Sequence, residues 1–235
     1  RLKKKNQSKP KQVAKKRQTP LPQSDPEKFI SAASGTGFSV SYDGHVITNN
    51  HVIEGCQKVY IHYKGKIIPA NVVAFDPKND LALLKGNFQP TTAFSLSINK
   101  PELLQDIYVA GYPFGRRISS TIKVTKGIIS SLTGVGNNFS NLQIDAALQP
   151  GNSGGPVLNE NGDLVGIASA GLNKLLMAKE AKYIPENVNF AVASSIVVNI
   201  LKSKKVKYTT PSMFGGSYSN TELAELGDRS TIQLF

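Results

Sequence analysis

Three side chains in this sequence could together make a hydroxyl nucleophilic: His51, Asp80 and Ser153. A serine hydroxyl attacks a carbonyl readily only when a base takes its proton and donors receive the developing negative charge. Ser153 lies in Pro150-Gly151-Asn152-Ser153-Gly154-Gly155-Pro156, where flanking glycines let the backbone turn tightly without a Cβ intruding on the reacting carbonyl. The N–H groups of Gly151 and Ser153 are the expected oxyanion donors, with Asn152 shaping the loop between them. Alone, such a stretch also reads as a Gly-rich turn between strands. Two further segments weigh against the plain turn. Thr48-Asn49-Asn50-His51-Val52-Ile53 sets a histidine just beyond an apolar strand, and Asn79-Asp80-Leu81-Ala82-Leu83-Leu84 sets an aspartate just before one. An imidazole takes a proton near neutral pH, and a buried carboxylate on its other nitrogen fixes tautomer and orientation.

The order along the chain is His, Asp, Ser, with spacings of 29 and 73 residues. That order matches the chymotrypsin arrangement and differs from those of subtilisin and the α/β-hydrolases. Competing residues carry less. Asp76 stands four residues before Asp80, but the apolar strand begins right after Asp80. His62 alternates within Tyr60-Ile61-His62-Tyr63 and reads as a strand residue facing solvent. His45, His51 and Cys56 fall at no common zinc spacing, so neither a metal nor a cofactor is expected. Cys56 reads as a small buried hydrophobe.

The elements that must position these groups are short. From Phe29 to about Ala193, β-branched runs are broken by Gly, Asn and Asp: Gly37–Val40, His45–Thr48, Lys58–Tyr63, Ile67–Val73, Leu81–Leu84, Ile107–Ala110, Gly127–Ser131, Gln143–Asp145, Pro156–Leu158 and Leu164–Ala168. With turn signals at Asp43-Gly44, Lys64-Gly65 and Asn161-Gly162, the pattern predicts an all-β barrel or sandwich. Ser194–Lys205 breaks it, because Ile196, Val197, Ile200 and Leu201 form one helical stripe, with Ser194 or Ser195 as N-cap. Residues 206–235 read as an extension too small for a further domain, with a short helix near Leu223–Leu226 and a last strand.

Composition narrows the function classes. The 235 residues carry 40% hydrophobic side chains, enough for a sizeable core. No apolar run approaches the roughly 18 residues of a membrane span. The net charge of +12 suggests a nucleic-acid partner until it is located. Residues 1–28 hold ten Lys/Arg against Asp25 and Glu27, a net of +8, which leaves +4 for all the rest. Such a Lys-, Gln-, Pro- and Ser-rich segment reads as a disordered basic tail, and no nucleic acid is expected. Its functional alternative is a tether to a membrane surface or a polyanion. One cysteine allows no internal disulfide, which fits a bacterial or organellar setting better than an animal extracellular fluid.

The combined motifs resemble the trypsin-like peptidases, and within them the HtrA/Deg type. Besides the three triad segments, Ser34-Gly35-Thr36-Gly37-Phe38 looks like that type's opening strand. Gly111-Tyr112-Pro113-Phe114-Gly115, Val124-Thr125-Lys126-Gly127-Ile128-Ile129-Ser130, Asp145-Ala146-Ala147 and Asn189-Phe190-Ala191-Val192 also match, in order, over about residues 31–203. The resemblance implies two six-stranded antiparallel barrels, about 29–100 and 101–193, with the helix 194–205 against their surface. It implies a serine endopeptidase acting on unfolded or damaged polypeptides through an acyl-enzyme. It assigns Ser169 to support Asp80, and the primary pocket to Ala147, Leu148, Ala170, Val188 and Phe190. That pocket lacks a carboxylate, so cleavage after small or medium aliphatic residues is expected, since a cation there would be unpaired. Asp145 is not the selector, because the resemblance puts that role at Ala147. The resemblance places the protein in the bacterial periplasm or envelope. No PDZ domain or trimerisation segment is visible, so oligomeric state does not carry over. The rivals are a catalytically silent module on the same fold and a protein acting through its basic tail.

Overall fold

In the computed structural model, residues 34–97, 99–113, 121–170, 187–212 and 216–235 are described. The expected tail 1–28, and Phe114 and Gly115 of the mid-domain loop, lie outside these residues. Twelve strands are present among them: β1 (Gly35–Ser39), β2 (His45–Thr48), β3 (Val59–Tyr63), β4 (Lys66–Asp76), β5 (Leu81–Gly86), β6 (Asp106–Gly111), β7 (Lys123–Ser131), β8 (Asn141–Ile144), β9 (Pro156–Leu158), β10 (Leu164–Ser169), β11 (Asn189–Ala193) and β12 (Thr231–Leu234). Three α-helices join them: α1 (Asn50–Ile53), α2 (Ser194–Ser203) and α3 (Asn220–Ser230).

The strands close into two six-stranded antiparallel barrels. Around the first the order is β1-β12-β3-β4-β5-β2, and around the second β10-β11-β8-β7-β6-β9. Period-two alternation explains how one chain fills three apolar volumes. Val46, Ala82 and Leu84 point into the first barrel with Ile61, Ile232 and Leu234. Their sequence neighbours Ile47, Leu81 and Leu83 point the other way, into a seam shared with Leu158, Leu164, Ile167 and Val192 of the second barrel. Val157, Val165, Ala168, Ala191 and Ala193 fill the second barrel. Strands facing the seam are therefore buried on both sides. This is why they read as unbroken apolar runs rather than alternating ones.

Two expectations change here. Helix α2 does not simply lie on the surface, because Val197 and Leu201 are fully buried in the inter-barrel seam. Nor does Ser194 or Ser195 cap it. Ala193 holds the N-cap position, and the Ser194 hydroxyl donates to the Ser97 carbonyl at 3.2 Å.

The larger change concerns residues 206–235, which are not an appendage. Helix α3 starts at a capping box in which Ser219 Oγ accepts from the Glu222 amide and Glu222 accepts from the Ser219 amide. It lies on the second barrel, where Tyr108 Oη donates to Asn220 Oδ1 at 3.0 Å and Gly227 sits over Ala110. The chain then enters the first barrel as β12, pairing Gly35–Phe38 on one side and Ile61–His62 on the other. The segment 29–100 thus supplies five of that barrel's strands, and the sixth comes from Thr231–Leu234. Without it, β1 and β3 would keep open edges. Phe235 stacks on Tyr60 with ring centroids 6.0 Å apart. Burial, with Asp228 nearby, pushes the Tyr112 phenol up to about 12, so it remains a neutral donor facing the Thr231 carbonyl.

His62 lies half-buried in β3 opposite Gln233 of β12, a neighbour that its local sequence does not announce. Cys56 is half-buried rather than buried, packed against the first-barrel core.

Candidate active site

Ladder register brings the site's first pair together. β2 and β5 are antiparallel with Thr48 opposite Ala82, so the residues following β2 and preceding β5 emerge at one end. His51 sits in the short helix α1, and Asp80 sits in the turn that enters β5. His51 Nδ1 is 2.8 Å from Asp80 Oδ2, and the His51 amide donates to Asp80 Oδ1 at 3.0 Å. An ionised carboxylate only accepts, so the proton belongs on Nδ1 and Nε2 is left as the base. Asn49, fully buried, donates from Nδ2 to the Asp80 carbonyl at 2.9 Å. Asp80 adopts φ 54°, a left-handed conformation that aspartate tolerates better than most residues. Asp76 is spent locally, accepting from the Asn79 amide at 3.1 Å and from its side chain at 2.6 Å.

The second barrel delivers Ser153 by the same device. β9 pairs with β10 with Pro156 opposite Ile167, so the loop before β9 runs beside the end of β10. Gly154 at φ 85° shows why no other residue fits: a Cβ there would come within 2.1 Å of the Thr36 carbonyl oxygen and 2.3 Å of Thr48 Oγ1. Asn152 is buried against Gly111, and its amide donates to the Gln149 carbonyl at 3.0 Å. It shapes the loop while its N–H is used internally. Among the described residues, the amides of Gly151 and Ser153 have no acceptor.

Consecutive residues at the end of β10 tie the two halves. Ser169 Oγ donates to Asp80 Oδ2 at 3.3 Å, and the Ala170 amide donates to Ser153 Oγ at 3.2 Å. Neighbouring Cα atoms lie about 3.8 Å apart, so Asp80 and Ser153 converge on one spot. Among the described residues the Ser153 hydroxyl is held by Ala170 rather than by His51. Hydrogen bonds between nucleophile and base are often loose without substrate and tighten when it binds. Ser169→Ala removes one of several donors to Asp80. The expected result is a fall in kcat of about tenfold or somewhat more with KM within twofold, since a hydrogen bond to a charge is worth about 1.5 kcal/mol or more. Steady-state kinetics on a peptide substrate checks this.

The pocket residues are less evenly placed. Leu148 and Phe190 are buried, Ala170 and Val188 half-buried and Ala147 exposed. Leu148 belongs to the second barrel's core, with Ala170 packed against it. Asp145 Oδ1 accepts from the Ile128 amide at 2.6 Å, which ties that carboxylate to β7. Residues 171–186 lie outside the described residues.

A second Ser-His-Asp grouping is a decoy. His45 Nδ1 lies 2.7 Å from Asp43 Oδ1 and 3.1 Å from Ser41 Oγ, so both partners face the same nitrogen and no relay passes through the ring. Burial alone would raise the Asp43 carboxyl, but hydrogen bonds from Ser41, His45 and Lys85 outweigh it and hold the group well below the usual carboxylate range.

Paired closed barrels with His and Asp from one and Ser from the other define the chymotrypsin-like class of fold. Residues 35–167 match the family described as trypsin-like peptidase domain. The periplasmic serine endoprotease DegP of Salmonella typhimurium is 36% identical over 215 residues, covering 88% of this chain and 41% of DegP. A protein of Sinorhizobium fredii named only as uncharacterized y4bJ is 36% identical over 207 residues, covering 88% of this chain and 32% of that protein. The crystal structure of a serine endoprotease from Yersinia pestis superimposes with a TM-score of 0.61 at 30% identity, covering 74% of this chain and 58% of that one. The chain belongs to the trypsin-like peptidase family, and these relatives place it with the HtrA-type members. It spans about a third to two fifths of the length of the curated relatives it matches.

Proposed function

We propose that this chain is the peptidase domain of a serine endopeptidase. Ser153 attacks the scissile carbonyl, and His51 takes its proton and returns it to the leaving amine. Asp80 holds the imidazole in its tautomer and stabilises the imidazolium. The amides of Gly151 and Ser153 receive the oxyanion, and water then releases the acyl group from Ser153. The observation that carries the reading is the convergence at β10, where residues 169 and 170 bond Asp80 and Ser153. In the attacking state the Ser153 hydroxyl exchanges its Ala170 contact for the His51 ring. A fluorophosphonate probe tests the reading. Stoichiometric labelling that disappears in Ser153→Ala supports it; no labelling of the folded protein, or labelling that survives the substitution, overturns it.

The substrates are unfolded or damaged polypeptides cleaved after Val, Ala, Ile or Leu. The support is a pocket whose assigned walls, Ala147, Leu148, Ala170, Val188 and Phe190, are uncharged, and Asp145 is engaged elsewhere. A peptide-library digest is expected to favour these residues over Lys and Arg by at least about a hundredfold, since an unpaired buried cation costs several kcal/mol. A preference for Lys or Arg would sink the pocket assignment. Names such as periplasmic endoprotease among the relatives support a periplasmic or envelope location. No helix among the described residues is long and apolar enough to cross a membrane. Membrane tethering through 1–28 remains part of this proposal, and its sign is vesicle binding lost on neutralising those lysines.

A further inference from the structure

We infer that the Thr36 hydroxyl is a positioning group for the oxyanion loop, an inference that rests on the peptidase reading and deepens it. Thr36 is fully buried in β1, a strand of the first barrel, yet its hydroxyl and its amide are aimed at the second. Its Oγ1 donates to the Gly151 carbonyl at 2.6 Å and accepts from the Tyr112 amide at 3.0 Å. Its own amide donates to the Ser153 carbonyl at 2.9 Å, and its carbonyl accepts from Thr48 Oγ1 at 2.7 Å.

The consequence is local and geometric. The Gly151 carbonyl and the Asn152 amide belong to one planar peptide unit. The carbonyl end is held by Thr36 Oγ1, and the amide end by the Gln149 carbonyl at 3.0 Å. With both ends fixed, that plane cannot turn, although Gly151 itself, at φ 100°, sits where glycine turns freely. Holding that plane limits how the Gly151 backbone can rotate, and with it where the Gly151 N–H on the preceding peptide points. Preorganised donors are effective because they need not reorient as charge develops. A backbone contact from β1 alone could hold Ser153 but not Gly151. Only a side-chain hydroxyl of this length reaches the Gly151 carbonyl while taking the Tyr112 amide on its lone pair. In the sequence Thr36 belongs to an opening strand, and nothing local links it to a loop 115 residues away.

Thr36→Val keeps the shape and deletes the oxygen, and Thr36→Ser keeps the oxygen. For Thr36→Val the expected result is a fall in kcat and in fluorophosphonate labelling rate of about tenfold to a hundredfold, short of the loss on removing an oxyanion donor itself. KM is expected to stay within about twofold, because substrate binding does not use the Gly151 carbonyl. Thr36→Ser is expected to retain kcat within about threefold. Thr36→Val labelling at the wild-type rate overturns the inference, as does an equal loss in both variants. Should Thr36→Val fail to fold, Thr36→Ser decides alone: near wild-type kcat upholds the inference, and a tenfold loss overturns it. A wild-type chain that does not label at Ser153 overturns the peptidase reading instead, so the two failures are distinguishable.

Discussion

Ser153→Ala is expected to lower kcat by about a million-fold, leaving only the residual rate that binding and oxyanion donors supply. The size follows from how the triad shares its work. Without the hydroxyl there is no acyl-enzyme, and His51 and Asp80 have no proton to move. Because Ser153 is nearly buried and its carbonyl and Cα stay in place, the substitution removes one oxygen and one hydrogen bond, from the Ala170 amide. Thermal unfolding should therefore shift by only a few degrees. The measurement is kcat on a peptide substrate beside a melting curve. A variant that keeps a tenth of the wild-type rate would show that another group is the nucleophile.

The second large effect lies far from the chemistry in sequence. Ile232 and Leu234 of β12 are fully buried in the first barrel, among Val46, Ile61 and Leu84. Ile232→Ala is expected to cost about 2–5 kcal/mol through lost burial and the cavity left behind. At about 2–4 °C per kcal/mol for a domain of this size, the midpoint should fall by about 4–20 °C. Ile232→Asp should be worse, since an unpaired carboxylate would enter an apolar barrel. Ile67, half exposed on β4 of the same barrel, provides the control, and Ile67→Ala should stay within about 0.5 kcal/mol. Cleavage should be lost with the fold, because β12 pairs with β1, and β1 carries Thr36 and holds the Ser153 loop. An Ile232→Asp chain that melts with the wild type would show that the barrel does not need this strand.

Most of the fold was readable because its signals are local. β2 and β9 begin and end where the apolar runs predict, and the Lys64-Gly65 turn between β3 and β4 has both residues at positive φ, as a tight hairpin demands. Other strands extend past their predicted ends, β4 by three residues at its far end and β7 by four at its start, because ladder pairing continues where side-chain pattern fades. Helix α3 carries a readable capping box in Ser219-Asn220-Thr221-Glu222, although the expectation is only a short helix near Leu223–Leu226. Strand β12 had no such signal beyond its β-branched residues. Four residues long, it is stabilised by partners about 170–200 positions away, and no periodicity in its own sequence records them.

The amino-acid sequence by itself determined which side chains are available, the Gly-Asn-Ser-Gly-Gly turn, and the His, Asp, Ser order at the ends of apolar strands. Side-chain type, turn chemistry and period-two burial act over a few residues, so they can be read along a line. Tertiary structure alone decided which strand closes the first barrel. It also set Ser169 on Asp80 and Ala170 on Ser153, and turned the Thr36 hydroxyl toward Gly151. The contacts of Ser169 and Thr36 join residues from separate barrels, and that of Ala170 joins two loops of one barrel. Their existence depends on ladder register and on how two barrels pack across a common apolar seam, and both of these are properties of the whole chain at once.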